Sequence, residues 1–295
     1  MIYVSSSCVK ANSIKEAITT LVQEGFRNIE LSGGTKYYDD LIEDLLVLKE
    51  QKDLNYLVHN YFPPPEQDFV LNLASQDESI LRKSISFVKR SIDLTKMIGN
   101  RHYSIHPGYS TDLKLDICGE HFVKVHNRNV KPNKIAEQLI RSFSEVLEYA
   151  EYNNVQIAIE NLFPSNSKDN FSLCCTPEEI GWFFDSFKSS SNLNLLLDVG
   201  HAKITANLIG MNLKVFLDKI IKSYREYISE IHFSDNDGIE DLHEISEASQ
   251  WMTEFICENS LSACPIVIEA RHSSIEEIKK MYNYSVSLLE KENVR

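Results

Sequence analysis

Six segments of the sequence each end on a histidine or a carboxylate, the side chains that most often bind transition metals in proteins. The segments read LVHNY, HYSIHPG, IAIEN, LLLDVGH, IHFSDNDG and IVIEA. The residues in question are His59, His106, Glu160, Asp198, His201, His232 and Glu269. One histidine in a strand is ordinarily structural, but six such segments in succession, separated by helix-length stretches, predict a metal site.

Side-chain alternation supports this prediction, because successive residues of a strand point to opposite faces. Glu160 shares a face with Ala158, whereas Ile157 and Ile159 face the other way. The apolar residues can then pack against helices while the metal-competent residues point inward. Carboxylates gathered in one pore are costly without a cation. The predicted metal core is Glu160, Asp198, His232 and Glu269.

Strand and helix patterns alternate along the whole chain. Strands are predicted at Ile2–Ser6, Asn28–Ser32, Tyr56–Asn60, His102–His106, Gln156–Asn161, Leu195–Val199, Glu230–Ser234 and Ile266–Ala270. Helices are predicted at Ile14–Gln23, Asp40–Lys49, Glu78–Ile98, Ile135–Glu151, Pro177–Phe187, Leu213–Tyr227, Glu247–Glu258 and Ile275–Leu289. This alternation predicts an α/β fold, a (β/α)8 TIM barrel forming a single domain over residues 1–295. An open doubly wound sheet is the alternative, but no glycine-rich phosphate loop follows the first strand.

Three helix starts carry a capping-box pattern, in which Ser or Thr precedes Glu by three residues. The pairs are Ser13 with Glu16, Thr176 with Glu179, and Ser273 with Glu276. Each lies soon after a predicted strand, as a barrel requires. Among the irregular stretches, Gly108–Pro132 follows a predicted ligand strand, so we expect it at the mouth of the barrel.

The composition is that of a globular protein with a sizeable core: 43% of the 295 residues are hydrophobic and 25% are charged. There is no apolar run of membrane-spanning length, and the N-terminus lacks the pattern of a signal peptide. Six cysteines without C-x-x-C pairs predict a reducing, cytoplasmic location. A net charge of −13 disfavours nonspecific nucleic-acid binding, although a local basic groove would be compatible with it.

These residues resemble the xylose isomerase-like barrel superfamily, which includes sugar isomerases, sugar epimerases and the endonuclease IV family. The resemblance covers nearly the whole chain. In the isomerase and epimerase branch, one divalent metal is held by Glu, Asp, His and Glu from four strands. Glu160, Asp198, His232 and Glu269 match that order, and Asp198-Val-Gly-His201 matches the Asp-x-x-His of the sixth strand. The resemblance implies catalytic roles for Glu160 and Glu269.

The endonuclease IV branch holds three zinc ions, and this sequence also matches the additional ligand positions. They are His59, His106, His201, Asp241 and His243, as additional metal ligands or substrate ligands. Local motifs depart from that branch. Phe62 stands where it has a tyrosine, and Asp198-Val-Gly-His201 replaces Asp-Thr-Cys-His. DVGHA and HFSDNDG look more like sugar phosphate isomerases or epimerases.

Two chemistries therefore remain open. The preferred one is a divalent-metal-dependent isomerase or epimerase of sugars or sugar phosphates, acting by metal-assisted proton transfer. The alternative is a hydrolase with two or three metals that acts on a phosphodiester. Abasic DNA is compatible with this alternative but is not favoured as a substrate. Either would use Mn, Zn, Fe or Co and a small-molecule carbohydrate or phosphate-ester substrate. A degenerate barrel is disfavoured because every core ligand position is filled.

Overall fold

Eight parallel strands close into a barrel. The computed structural model describes residues 1–115, 122–125, 131–165 and 170–293. The strands in these residues are β1 (Ile2–Ser5), β2 (Asn28–Leu31), β3 (Asn55–His59), β4 (His102–Ile105), β5 (Leu113–Leu115), β6 (Phe122–Lys124), β7 (Gln156–Glu160), β8 (Leu193–Asp198), β9 (Ile228–Phe233) and β10 (Ile266–Ile268). The barrel order is β1-β2-β3-β4-β7-β8-β9-β10, and β10 pairs with β1 to close it. The predicted (β/α)8 TIM barrel is confirmed.

Helices alternate with the barrel strands. They are α1 (Ile14–Gln23), α2 (Leu41–Lys52), α3 (Glu78–Met97), α4 (Pro132–Tyr152), α5 (Pro177–Ser186), α6 (Val199–Leu208), α7 (Leu213–Tyr224), α8 (Trp251–Glu258) and α9 (Ile275–Asn293). Apolar residues at three- and four-residue intervals bury one face, as in α4 with Leu139, Phe143, Val146 and Leu147. None of the described helices is both long enough and apolar enough to cross a membrane.

Capping boxes fix two of the predicted helix starts. Ser13 and Glu16 exchange hydrogen bonds at the start of α1, and Thr176 and Glu179 do so at α5. At α9 the prediction was one residue early, because Ser274 pairs with Glu277. The hydroxyl of Ser273 instead accepts a hydrogen bond from the Ile245 backbone N–H, which ties the loop after β9 to α9.

Helix α6 and strands β5 and β6 were not predicted. Helix α6 begins immediately after β8, with Asp198 as its N-cap, and no loop separates the two elements. The segment between β4 and α4 contains β5 and β6, which pair antiparallel outside the barrel. Residues 116–121 and 126–130 of the predicted irregular stretch lie outside the described residues.

The barrel interior is unusually polar for a fold that normally fills it with branched apolar side chains. Strand register places Asp198 beside His232, and His59 beside Ser104. Alternation along β9 puts Glu230 on the same inward face as His232. One small apolar cluster, formed by Tyr3, Leu57 and Val267, also lies in the interior. The larger apolar core lies between the strands and the helices.

Candidate active site and metal centre

All nine residues predicted for the site lie at the carboxyl ends of barrel strands or in the loops and first helical turn that follow them. His59, Glu160 and Asp198 are the last residues of β3, β7 and β8, and His232 is the penultimate residue of β9. His106 and Glu269 directly follow β4 and β10. His201 is in the first turn of α6, and Asp241 and His243 are in the loop after β9. The fold therefore brings the nine residues to one end of the barrel.

The carboxylate of Glu160 is the meeting point of three imidazoles. Its Oε2 lies 3.1 Å from Nε2 of His106 and 3.5 Å from Nε2 of His59. Its Oε1 lies 3.0 Å from Nδ1 of His201. Burial raises the pKa of Glu160, but the imidazoles of His106 and His201 outweigh it and hold the pKa well below its usual range. The group is therefore a carboxylate at neutral pH.

In contrast to the ionised Glu160, the ring of His59 is kept neutral. Burial lowers the pKa of His59 to about 4, despite the nearby Glu160 carboxylate. Its Nδ1 lies 3.0 Å from Oγ of Ser104, so a proton on Nδ1 satisfies that contact. Nε2 then presents a lone pair toward Glu160, as a metal ligand must.

Asp198, His232 and Glu269 form a second convergence beside Glu160. Nδ1 of His232 lies 3.4 Å from Oε2 of Glu269 and 4.0 Å from Oδ2 of Asp198. Asp198 Oδ1 accepts the backbone N–H of His201 at 2.7 Å, so capping of α6 fixes the carboxylate. Burial raises the pKa of Asp198 to about 6. For Glu269, burial raises the pKa, but Arg271 and His243 outweigh it and hold the pKa well below its usual range.

Three atoms at these convergences are buried without a hydrogen-bond partner in the described part of the chain: Glu160 Oε2, Asp198 Oδ2 and His232 Nδ1. Buried polar atoms are rarely left unpaired, so these three call for a further ligand. Three carboxylates and an imidazole are a suitable donor set for a divalent transition metal. The residues thus fit the group that the sequence predicts there.

Two further carboxylates, Glu30 and Glu230, were not predicted. Nε2 of His232 donates to Oε2 of Glu30 at 2.8 Å, and Oε1 of Glu230 lies 3.5 Å from the same nitrogen. Oε2 of Glu230 lies 2.8 Å from Nε2 of His102. With one proton held on Nε2, His232 turns Nδ1 toward Asp198 and Glu269, the orientation that carboxylate partners impose on ligating histidines.

A signal for Glu30 and Glu230 was present in the sequence. Both are acidic residues inside short, otherwise largely apolar strands, NIEL and ISEIHF. Each falls on the inward face by alternation, and register places Glu30 beside Ser5 and Leu57. An acidic residue in the middle of a buried barrel strand therefore indicates a functional site as well as one at the end of the strand does.

Gly200, between Asp198 and His201, lies where α6 packs closely against the end of β9. A Cβ at Gly200 would lie 2.5 Å from the backbone oxygen of Ser234, so only glycine allows α6 to approach the end of β9 this closely. Nδ1 of His201 lies 2.9 Å from the backbone oxygen of Asn161, to which it can donate. That bond leaves Nε2 of His201 directed toward Asp241, at 3.7 Å from Oδ2.

Arg271 is the other residue that sequence reasoning missed. It follows Glu269 by two residues, and its Nη2 lies 3.3 Å from Oε1 of that carboxylate. Nη2 of Arg271 also lies 2.5 Å from Nε2 of His243. That Nε2 of His243 lies 2.7 Å from Oδ2 of Asp241. The corner of the site formed by His201, Asp241 and His243 therefore contains a cationic side chain.

Comparison with known proteins agrees with this architecture. Residues 18–259 match the model of the family described as xylose isomerase-like TIM barrel. An uncharacterised protein from Methanocaldococcus jannaschii is 24% identical over 244 residues, which cover 81% of this chain and 72% of that protein. A second uncharacterised protein from the same organism is 28% identical over 199 residues, covering 66% of this chain and 62% of that protein.

Two solved structures share the fold over nearly the whole chain. One is described as a D-tagatose 3-epimerase-like protein, with a TM-score of 0.73 and 22% identity, covering 99% of this chain and 98% of the other. The other is an L-ribulose 3-epimerase, with a TM-score of 0.64 and 15% identity, covering 96% and 86%. At these identities the likeness establishes the common fold.

Proposed function

Because the chain belongs to the xylose isomerase-like TIM barrel family, we propose that it is a divalent-metal-dependent isomerase or epimerase of sugars or sugar phosphates. Solved structures described as a D-tagatose 3-epimerase-like protein and an L-ribulose 3-epimerase share this barrel. The observation that carries the proposal is the set of buried, unpartnered atoms of Glu160, Asp198 and His232. Asp198 links them, because its ligand atoms lie close to those of Glu160 and His201 in one group and to those of His232 and Glu269 in another. A divalent cation would compensate the buried negative charge there.

The proposed metal ligands are Glu160, Asp198, His232 and Glu269. They lie on or directly after the four successive strands β7 to β10, so all four approach from one half of the barrel mouth. The opposite half is lined by His59 and His106 from β3 and β4. A divalent ion in this position supplies polarisation of adjacent hydroxyl and carbonyl oxygens, which acidifies the C–H bond between them.

Glu160 and Glu269 are the proposed proton carriers. The strands that hold Asp198 and His232 separate them, so the two carboxylates flank the metal position from either side. In an epimerisation, one carboxylate removes a proton from one face of the carbon and the other returns a proton to the opposite face. In an isomerisation, one carboxylate moves the proton to the neighbouring carbon. His201 would orient a substrate oxygen through Nε2, because its Nδ1 is held by the Asn161 carbonyl.

Hydrogen exchange with solvent tests this proposal directly. We would load the purified protein with Mn²⁺ or Co²⁺ and incubate it in D₂O with ketoses, aldoses and their phosphates, following loss of the C–H signals by NMR. Wild type is expected to exchange a hydrogen next to the carbonyl of at least one sugar. Glu160→Gln should lower the exchange rate by about 100-fold or more, since a carboxamide cannot accept the proton.

Glu145→Gln is a matched control, because Glu145 is half exposed on α4 and pairs with Lys89 rather than with the site. It should exchange at the wild-type rate. An unchanged rate in Glu160→Gln, or neither hydrogen exchange nor conversion to an isomer with any sugar of the panel by a metal-loaded protein, would contradict the proposal.

A second candidate function is a hydrolase with more than one metal ion. It is favoured by the nitrogens of His59 and His106, both of which face the same oxygen of Glu160. A second ion there would share Glu160 with the first, and paired ions stabilise the entering and leaving oxygens of a phosphoryl transfer. This candidate expects two bound ions and hydrolysis of a phosphodiester, tested with abasic DNA and a small diester, without sugar hydrogen exchange.

A further inference from the structure

The corner formed by His201, Asp241 and His243 offers three ligand-type side chains beyond the proposed metal centre. Oδ2 of Asp241 lies 2.7 Å from Nε2 of His243 and 3.7 Å from Nε2 of His201. Two imidazole nitrogens and a carboxylate are enough to hold a zinc ion. The residue types alone would therefore predict another metal position here.

Arg271 changes that prediction, because its guanidinium occupies the same corner. Nη2 lies 2.5 Å from Nε2 of His243 and 3.3 Å from Oε1 of Glu269. An arginine is permanently charged and cannot be deprotonated to make room for a metal. The anionic groups of the corner, Asp241 and Glu269, thus already have a cation beside them.

Nε2 of His243 has no free lone pair in either neutral tautomer of the ring. If Nδ1 carries the proton, it can donate to the Glu269 carbonyl at 3.3 Å, and Nε2 accepts from Arg271. If Nε2 carries the proton, it donates to Asp241. A metal ligand needs a free lone pair, and neither arrangement leaves one on Nε2, the nitrogen that faces Asp241 and Arg271.

The spacing of the ligand atoms of Asp241 and His243 also argues against a metal position in this corner. In the part of the chain that the structure describes, four groups of three residues have ligand atoms all within 4.8 Å of one another. His59, His106, Glu160, Asp198, His232 and Glu269 each belong to at least one of these groups. Of the corner residues, His201 belongs to one group, with Glu160 and Asp198, whereas Asp241 and His243 belong to none.

We propose that Arg271 is a built-in cation of the His201–Asp241–His243 corner, which excludes a metal ion there and leaves the corner to bind substrate. The inference rests on the proposed metal-dependent function and limits the centre to the positions around Glu160. Asp241 Oδ1 is buried without a hydrogen-bond partner in the described residues. It is the natural acceptor for a substrate hydroxyl, and a polyol such as a sugar supplies several.

Metal stoichiometry tests the proposal. We would strip wild type and Arg271→Ala with a chelator, reload each with excess Zn²⁺, remove unbound metal and count the ions by mass spectrometry. Removing the guanidinium frees the nitrogen of His243, so Arg271→Ala should hold roughly one more ion per chain than wild type. Arg271→Lys keeps a cation at the position and should keep the wild-type count.

Arg225→Ala controls for loss of an arginine elsewhere, because Arg225 is exposed and bonds the Asn259 backbone oxygen. Circular dichroism would verify the fold of each variant. Should Arg271→Ala misfold, the count for wild type and Arg271→Lys still decides, because three ions in either would overturn the proposal. Equal counts in folded Arg271→Ala and wild type would also overturn it. If no form binds metal, the proposed function fails and this inference fails with it.

Discussion

His59 is expected to make the metal-free protein sensitive to mild acid. Burial lowers the pKa of His59 to about 4, from 6.5, because only 4% of the residue is exposed. Between these two values the unfolded chain binds a proton that the folded chain does not, so the free energy of unfolding falls as the pH drops. The difference corresponds to about 3 kcal/mol over the full interval. His59→Gln removes this loss while keeping a polar side chain of similar size beside Ser104.

The assay is urea unfolding of both proteins in a chelator, at about pH 7.5 and about pH 4.5. Other site groups titrate in this range, so the quantity of interest is the difference between wild type and His59→Gln at each pH. Wild type should lose roughly 2 to 3 kcal/mol more than the variant. His272→Gln, at an exposed position, controls for the introduction of a glutamine. Equal losses, within about 0.5 kcal/mol, would refute the argument that His59 is held neutral.

The remaining predictions concern the residues that position the metal ligands. Glu30→Leu removes the acceptor that holds the His232 proton on Nε2 and should weaken metal binding by about 10- to 100-fold in a competition titration, with Glu30→Gln closer to wild type. Equal affinities for Glu30→Leu and wild type would contradict that role. Gly200→Ala places a Cβ against the Ser234 backbone and should cost about 1 to 3 kcal/mol in urea unfolding. An unchanged midpoint would mean that α6 can shift without strain.

The barrel could be predicted because its signals are local and repeated. Each strand is a short apolar run, and helices with a clear apolar stripe follow, so the eight predicted strands match the observed ones to within two residues at either end. Helix α6 escaped prediction for a physical reason. Asp198 ends the strand and caps the helix at once, so the turn residues that normally mark a boundary are missing.

The gathering of the site residues could also be predicted, because parallel strands bring their carboxyl ends to one edge. The sequence did not predict which atoms of these residues face each other. Arg271 shows the difference: Glu269-Ala-Arg271 is unremarkable as a sequence, and the contact of its guanidinium with His243 depends on how the loop after β9 folds back. That loop is tied to β10 and α9 by tertiary hydrogen bonds, such as the one between Ile245 and Ser273.

The environment of His232 gives the strongest physical reason for a cation in this barrel. Its Nε2 proton is held by Glu30, and its Nδ1 faces carboxylate oxygens of Glu269 and Asp198 at 3.4 and 4.0 Å. Burial lowers the pKa of His232, but Glu30, Glu230 and Glu269 outweigh it and raise the pKa well above its usual range. Two carboxylates and an imidazole in a buried space therefore need a positive charge between them, which a proton on Nδ1 supplies when no metal ion is bound. A proton can neutralise one of the three, whereas a divalent ion neutralises the group and bonds each member.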